Sequence, residues 1–102
     1  MLIVLTTVPD IAQAEQLAEA IINANLAACV QILPPMTSVY IWDGKVCREA
    51  EHLMLIKTLP AKYEELEAHI TNHHSYEVPE IVAIETAKIS EPYLQWIQQV
   101  MS

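Results

Sequence analysis

The chain has a single glycine, Gly44, in 102 residues. Glycine-rich phosphate loops and dinucleotide fingerprints need several glycines where the backbone approaches phosphate closely, so neither can be built here. Basic residues are also scarce: five Lys plus Arg stand against 13 Asp plus Glu, for a formal net charge of −8. They are scattered, as Lys45, Arg48, Lys57, Lys62 and Lys88. Nucleic acids and anionic membranes are bound through clustered cations, so neither is an expected partner. Cysteine occurs only as Cys29 and Cys47. The chain opens on Leu2-Ile3-Val4-Leu5 with no basic leader, which argues against a signal peptide. The expectation is a cytoplasmic protein whose cysteines are thiols rather than a disulfide. Residues 20–42 carry no charge, but Asn23, Asn25, Gln31 and Pro34-Pro35 interrupt the run. A bilayer helix needs about 20 mostly apolar residues, so this is no membrane span.

What is abundant is apolar side chain, 53% of the chain. A domain of this size has little interior, so the surplus suggests a surface covered by other subunits. The pattern along the chain reads as one domain. Leu2 to Val8 is aliphatic and β-branched, a strand. Asp10 with Gln13 three residues on forms a helix start. Ala14, Leu17, Ala18, Ile21 and Ile22 then follow the spacing of a buried helical face. Residues 26–33 are a second strand, which Pro34-Pro35 bend or bulge before it resumes over residues 37–42. Asp43-Gly44 is a two-residue hairpin turn, and Lys45 to Thr58 is its return arm. On that arm Met54 and Ile56 share one face, and Leu53, Leu55 and Lys57 the other.

Pro60 opens a second helix, with Tyr63, Leu66 and Ile70 inward. Residues 80–87 are another strand. Ser90 caps a last helix, with Tyr93, Trp96, Ile97, Val100 and Met101 as its stripe. The order predicts an α+β fold, a ferredoxin-like βαββαβ sandwich with an extended β-hairpin and an extra C-terminal helix. The return arm has 14 residues, about 45 Å at ~3.3 Å per residue. The first strand, with seven residues, covers about half of that. The distal hairpin around Tyr40, Trp42, Val46 and Arg48 must then overhang the sheet. An uncovered edge of that kind invites strand pairing with another copy.

The chemistry concentrates in His74-Ser75-Tyr76-Glu77-Val78-Pro79-Glu80-Ile81. Pro79 fixes its own φ and drives Val78 toward extended backbone, so the polar groups sit on a stiffened loop beside a strand. These residues resemble the His-Pro-Tyr-Glu-Val-Pro-Glu-Ile motif of the CutA divalent-cation-tolerance family. Thr6-Thr7-Val8-Pro9-Asp10, Leu26-Ala27-Ala28-Cys29-Val30, Ser38-Val39-Tyr40-Ile41-Trp42, Lys57-Thr58 and Tyr93-Leu94-Gln95-Trp96-Ile97 match the family in the same order. Ser75 stands where the family usually has proline, and Gln31 where it usually has asparagine. The serine is expected to loosen the loop beside His74.

The resemblance implies a homotrimer, joined here through strand pairing, that binds copper(II) or another divalent cation weakly. The expected ligands are Cys29, His74 and Glu80. Without the resemblance, Cys29 reads as a small inert hydrophobe rather than a ligand, and Glu80 as either a ligand or a group that orients His74. His69 and His73 share a helical face at a spacing that can chelate zinc, but a solvated histidine pair reads the same. Cys47, beside the hairpin tip, is expected to be exposed. The CutA fold is also similar to that of the nitrogen-regulatory PII signal proteins. That implies an alternative, a signalling or scaffold module with an anionic effector in a cleft between subunits, lined by Tyr40, Trp42, Lys57 and Tyr76. Catalysis is not expected: Cys29 and His74 could be neighbours, but nothing activates a thiol in apolar surroundings.

Overall fold

The computed structural model describes residues 1–102. The element order is β1 (Leu2–Val8), α1 (Ile11–Asn23), β2 (Cys29–Ile32), β3 (Met36–Trp42), β4 (Lys45–Thr58), α2 (Tyr63–His73), β5 (Val82–Glu85) and α3 (Glu91–Val100). One turn of 3-10 helix over Pro60–Lys62 leads into α2. The result is a mixed α+β fold with one antiparallel sheet, ordered β2-β4-β1-β5, and β3 continuing along β4.

The central strand is β4. Its inner half pairs with β1, from Leu2 opposite Thr58 to Val8 opposite His52. β5 flanks β1 on the other side, with Ile3 opposite Ile84. The alternation expected of β4 is realised. Met54 and Ile56 are fully buried under the helices with Val4 of β1, Leu17 and Ile21 of α1, and Leu66 and Ile70 of α2. Leu53, Leu55 and Lys57 point to the opposite face and are half-buried. By register, Ile3, Leu5, Val82 and Ile84 share that face, and no core helix covers it: Val82 and Ile84 remain 46% and 48% exposed.

α1 begins where Asp10 accepts the Gln13 backbone N–H at 2.8 Å, while the Gln13 side-chain amide donates to the other carboxylate oxygen at 2.9 Å. Its end is unusual for a chain with one glycine. Asn25 adopts φ 57°, the left-handed conformation that glycine normally supplies. Its N–H bonds the Ile22 carbonyl, and the Leu26 N–H reaches back to Ile21. Both helix-end acceptors are thereby satisfied, and Leu26 is delivered into the core at 4% exposure.

Pro34 and Pro35 bulge the outer strand. From Ile32 to Met36 the chain advances four residues, while the partner β4 advances three, from Met54 to Glu51. One residue is extra, the signature of a β-bulge. The Leu33 carbonyl at the bulge accepts the His52 Nδ1–H at 2.9 Å. Asp43 and Gly44 both take positive φ, 53° and 73°, as a type I′ hairpin turn requires. Beyond His52, β4 pairs with β3 alone. The distal hairpin therefore overhangs the sheet, as its length demanded.

Three expectations shift. Ile22 is 41% exposed rather than part of the buried stripe. In α3 only Ile97 is buried, with Met101 buried just past its end, while Trp96 and Val100 are 43% and 45% exposed. Ser90 occupies the N-cap of α3 but makes no side-chain capping bond. Strands β2 and β5 are also shorter than the apolar runs that contain them. The α1 face gives a direct check. Ile21→Ala should lower the unfolding free energy by about 2–5 kcal/mol in urea denaturation. Its neighbour Ile22→Ala should cost about 1 kcal/mol or less.

Candidate functional site

The loop from α2 to β5 is tied down at three places. His74 is the first. Its Nε2 lies 2.7 Å from the Thr7 carbonyl of β1, and its Nδ1 lies 3.0 Å from the Tyr76 backbone nitrogen. A carbonyl can only accept and a backbone N–H can only donate, so Nε2 carries the proton and Nδ1 carries none. Both ring nitrogens are thereby used, and neither presents a lone pair to a metal. Ser75 is the second tie: its hydroxyl donates to Gln13 Oε1 at 2.6 Å. The serine that was expected to loosen the loop instead anchors it to the first turn of α1.

Tyr76 is the third. Its ring packs 4.7 Å from that of His74, and its hydroxyl donates to Glu51 Oε2 at 2.8 Å. Glu51 lies on β4 at the bulge, opposite Met36, and is only 7% exposed. The Tyr76 hydroxyl is held well above the usual tyrosine range, first by burial and then by its bond to Glu51 and that group's charge. Tyr40 is shifted in the same direction, first by desolvation and then by Glu49, Cys47 and Glu51.

Between this loop and the overhanging hairpin lies a cleft of about 670 Å³. Tyr40, Trp42 and Ser38 supply the hairpin wall, Tyr76, Glu77 and Glu80 the loop wall, and Glu51 and Thr7 the floor. Of the four residues expected to line a cleft, Tyr40, Trp42 and Tyr76 come together. Lys57 does not. It pairs in register with Ile3 and Cys29 at the far end of the sheet. There its ammonium donates to the Tyr93 hydroxyl at 3.3 Å and lies 5.4 Å from that ring's centroid. No lysine, arginine or histidine lines the cleft.

The expected metal ligands are also separated. Cys29 stands beside Lys57, opposite the part of β1 that holds Ile3. Thr7, which receives His74, is four residues further along, about 14 Å at ~3.4 Å per residue. Only Glu80 of the three lines the cleft. Nowhere do three or more His, Cys, Asp or Glu side chains converge as a single-chain metal centre would require. Cys29 and Cys47 are both free and half-buried, so Cys47 is less open than its place near the hairpin tip suggested.

His69 and His73 do stack, at 4.2 Å between ring centroids. His73 Nδ1, however, is spent on the His69 carbonyl at 2.8 Å, and His69 Nδ1 is buried without a partner. Burial, then the His73 charge, depresses the His69 pKa. Sequence reasoning passed over Glu51, and it read Gln13 and Ser75 as a helix start and a loosened loop rather than as the tie between them. Glu51 sits in a strand position that reads as exposed, and nothing local shows that the Tyr76 loop folds over it.

The family model described as CutA1 divalent ion tolerance protein matches residues 2–100. The chain belongs to the CutA1 family. It is 40% identical over 97 residues to the chloroplastic protein CutA of Arabidopsis thaliana, covering 95% of this chain and 53% of that one. It is equally identical to the divalent-cation tolerance protein CutA of Thermus thermophilus, covering 95% and 94%. The chain thus spans about half of the plant relative and nearly all of the bacterial one. The solved structure of the periplasmic divalent cation tolerance protein CutA from Archaeoglobus fulgidus superimposes with a TM-score of 0.96 at 32% identity, over 100% of both chains. No helix here is long and apolar enough to cross a membrane.

The Tyr76–Glu51 bond sets a pH dependence. A tyrosine whose pKa is raised on folding contributes stability that is complete below its ordinary value of 10.0. That contribution is lost as pH climbs toward the raised folded value. Stability should therefore fall above pH 10, and Tyr76→Phe should reduce that alkaline loss. At neutral pH the same variant should cost about 1–3 kcal/mol in urea denaturation, because a buried carboxylate loses its donor.

Proposed function

We propose that this CutA1-family chain serves divalent cation tolerance by binding the cation, not by transforming it. The observation that carries the reading is the charge of the cleft: Glu51, Glu77 and Glu80 line it with no base among them. Oxygen donors of that kind suit hard divalent ions such as Mn²⁺ or Mg²⁺. Glu80 keeps its expected role as ligand, and Glu51 and Glu77 join it. These carboxylates do not converge within one chain, so an ion among them would be held weakly and keep part of its water shell. A non-enzymatic role is supported by the distance between Cys29 and His74 and by the full engagement of the His74 ring.

Copper(II) remains a second proposed cargo, carried by the Cys29 thiol. That thiol faces the uncovered side of the sheet, so a neighbouring subunit would have to complete the site, since His74 offers no free nitrogen. A PII-like effector role is supported by the cleft's size, which falls within the range of small-molecule sites. Within one chain Lys57 lies away from this cleft; the anionic effector was expected between subunits, where a neighbouring copy would have to bring the lysine in. Calorimetric titration separates these readings. Glu51→Gln and Glu80→Gln should each weaken Mn²⁺ binding at least tenfold, about 1.4 kcal/mol, while Cys29→Ser should weaken only Cu²⁺. Unchanged Mn²⁺ affinity in both glutamate variants would sink the cleft reading.

We further propose that the domain is ferredoxin-like and assembles as a homotrimer in the cytoplasm. The sheet order β2-β4-β1-β5 supports the first, and the free thiols support the compartment. Two features support assembly. The overhanging hairpin leaves Ile41 and Val46 73% and 72% exposed, and the sheet face bearing Leu53, Leu55, Val82 and Ile84 lacks a covering helix. Strand pairing at the hairpin removes the open edge, and a head-to-tail contact of this kind closes into a ring when its rotation permits. Native mass spectrometry at micromolar concentration should show a trimer. A dominant folded monomer would refute the assembly, and a dimer would refute the stoichiometry alone.

A further inference from the structure

We infer that the cleft is a recognition site for an organic ammonium ion, a positively charged amine carried on an apolar body. The inference rests on the cleft's preference for positive charge proposed above and names a second class of cation that satisfies it. An inorganic ion explains the carboxylates but not the walls. A cleft of about 670 Å³ is far larger than a hydrated metal ion needs, and five of its 11 lining residues are hydrophobic. Tyr40 and Trp42 lie two apart on β3, on the same face of the strand, and Tyr76 stands on the opposing loop wall. Aromatic faces attract alkylammonium groups through their quadrupole, Trp most strongly. A strongly hydrated divalent ion gains much less from such walls.

The floor supplies the counter-charge. Glu51 is 7% exposed, and its one side-chain hydrogen bond, from the neutral Tyr76 hydroxyl, leaves its charge unpaired. A buried carboxylate without a cation is costly unless something completes it. An ammonium group offers N–H donors and the missing charge together. Glu77 and Glu80 at the mouth raise the local concentration of cations before they enter. The ties made by His74 and Ser75 hold the loop wall in place without any ligand, so little ordering cost falls on binding.

The test uses three probes of nearly the same shape: phenethylammonium, 2-phenylethanol and phenylacetate. They are titrated into the full chain carrying Trp96→Phe, so that Trp42 is the only fluorescent tryptophan. Phenethylammonium should give a saturable change in Trp42 emission. It should bind at least tenfold more tightly than the alcohol, and phenylacetate should not bind. By calorimetry, Trp42→Ala should weaken phenethylammonium at least tenfold more than it weakens Mn²⁺, and Glu51→Gln should weaken both. If Glu51→Gln does not fold, Glu80→Gln and the charge series on the parent chain carry the same decision. Equal affinity for alcohol and ammonium, or a preference for phenylacetate, overturns the inference. Mn²⁺ binding without ammonium binding also overturns it, whereas ammonium binding without Mn²⁺ overturns the divalent-ion reading alone.

Discussion

Strand β4 runs 14 residues while β1 beside it has only seven, and most of the architecture answers that mismatch. The inner half of β4 has partners on both edges and helices over one face, so its Met54 and Ile56 are fully buried. The outer half has only β3. A two-stranded ribbon cannot bury a core by itself, so its side chains stay open. The bulge at Pro34-Pro35 marks the junction between the halves. His52 and Glu51 stand there, one satisfying the bulge carbonyl and the other forming the cleft floor. The cleft therefore exists because one strand outruns the sheet and a loop folds back beneath the overhang.

That loop is stiff for reasons that are mostly backbone. Pro79 fixes one end. His74 bridges the β1 carbonyl and the loop's own N–H at the other, and Ser75 binds the first turn of α1. Tyr76 is thus aimed, and its hydroxyl meets Glu51 with little freedom left to lose. The cost falls on His74 as a ligand: an imidazole that holds the loop by both nitrogens cannot also hold a metal. In this chain both nitrogens of the motif's histidine hold the loop that carries the tyrosine and glutamates after it.

The absence of glycine has a visible consequence in α1. A helix end that would ordinarily use glycine uses Asn25 instead, and the same two backbone bonds close. Ser75 ties its loop in a comparable way, through a side-chain hydrogen bond to Gln13.

Sequence by itself determined the bounds of β1 and β4, the turn at Asp43-Gly44, the interruption at Pro34-Pro35 and the overhang of the hairpin. Each follows from a local rule: period-two burial, the φ preference of Gly and Asp, the missing N–H of proline, and the unequal lengths of two strands. It also named Tyr40, Trp42, Tyr76 and Glu80, which do meet in one cleft. Tertiary structure alone decided which side chains share a site. Cys29 and Lys57 were assigned by order along a motif, yet the register of β2 and β1 against β4 carries them to the other end of the sheet. Glu51 was invisible for the opposite reason, because what buries it is a tyrosine 25 residues away in the chain. Burial and electrostatic pairing are properties of distances through space, and those are fixed only when strands choose their register and a loop chooses the groups it folds against.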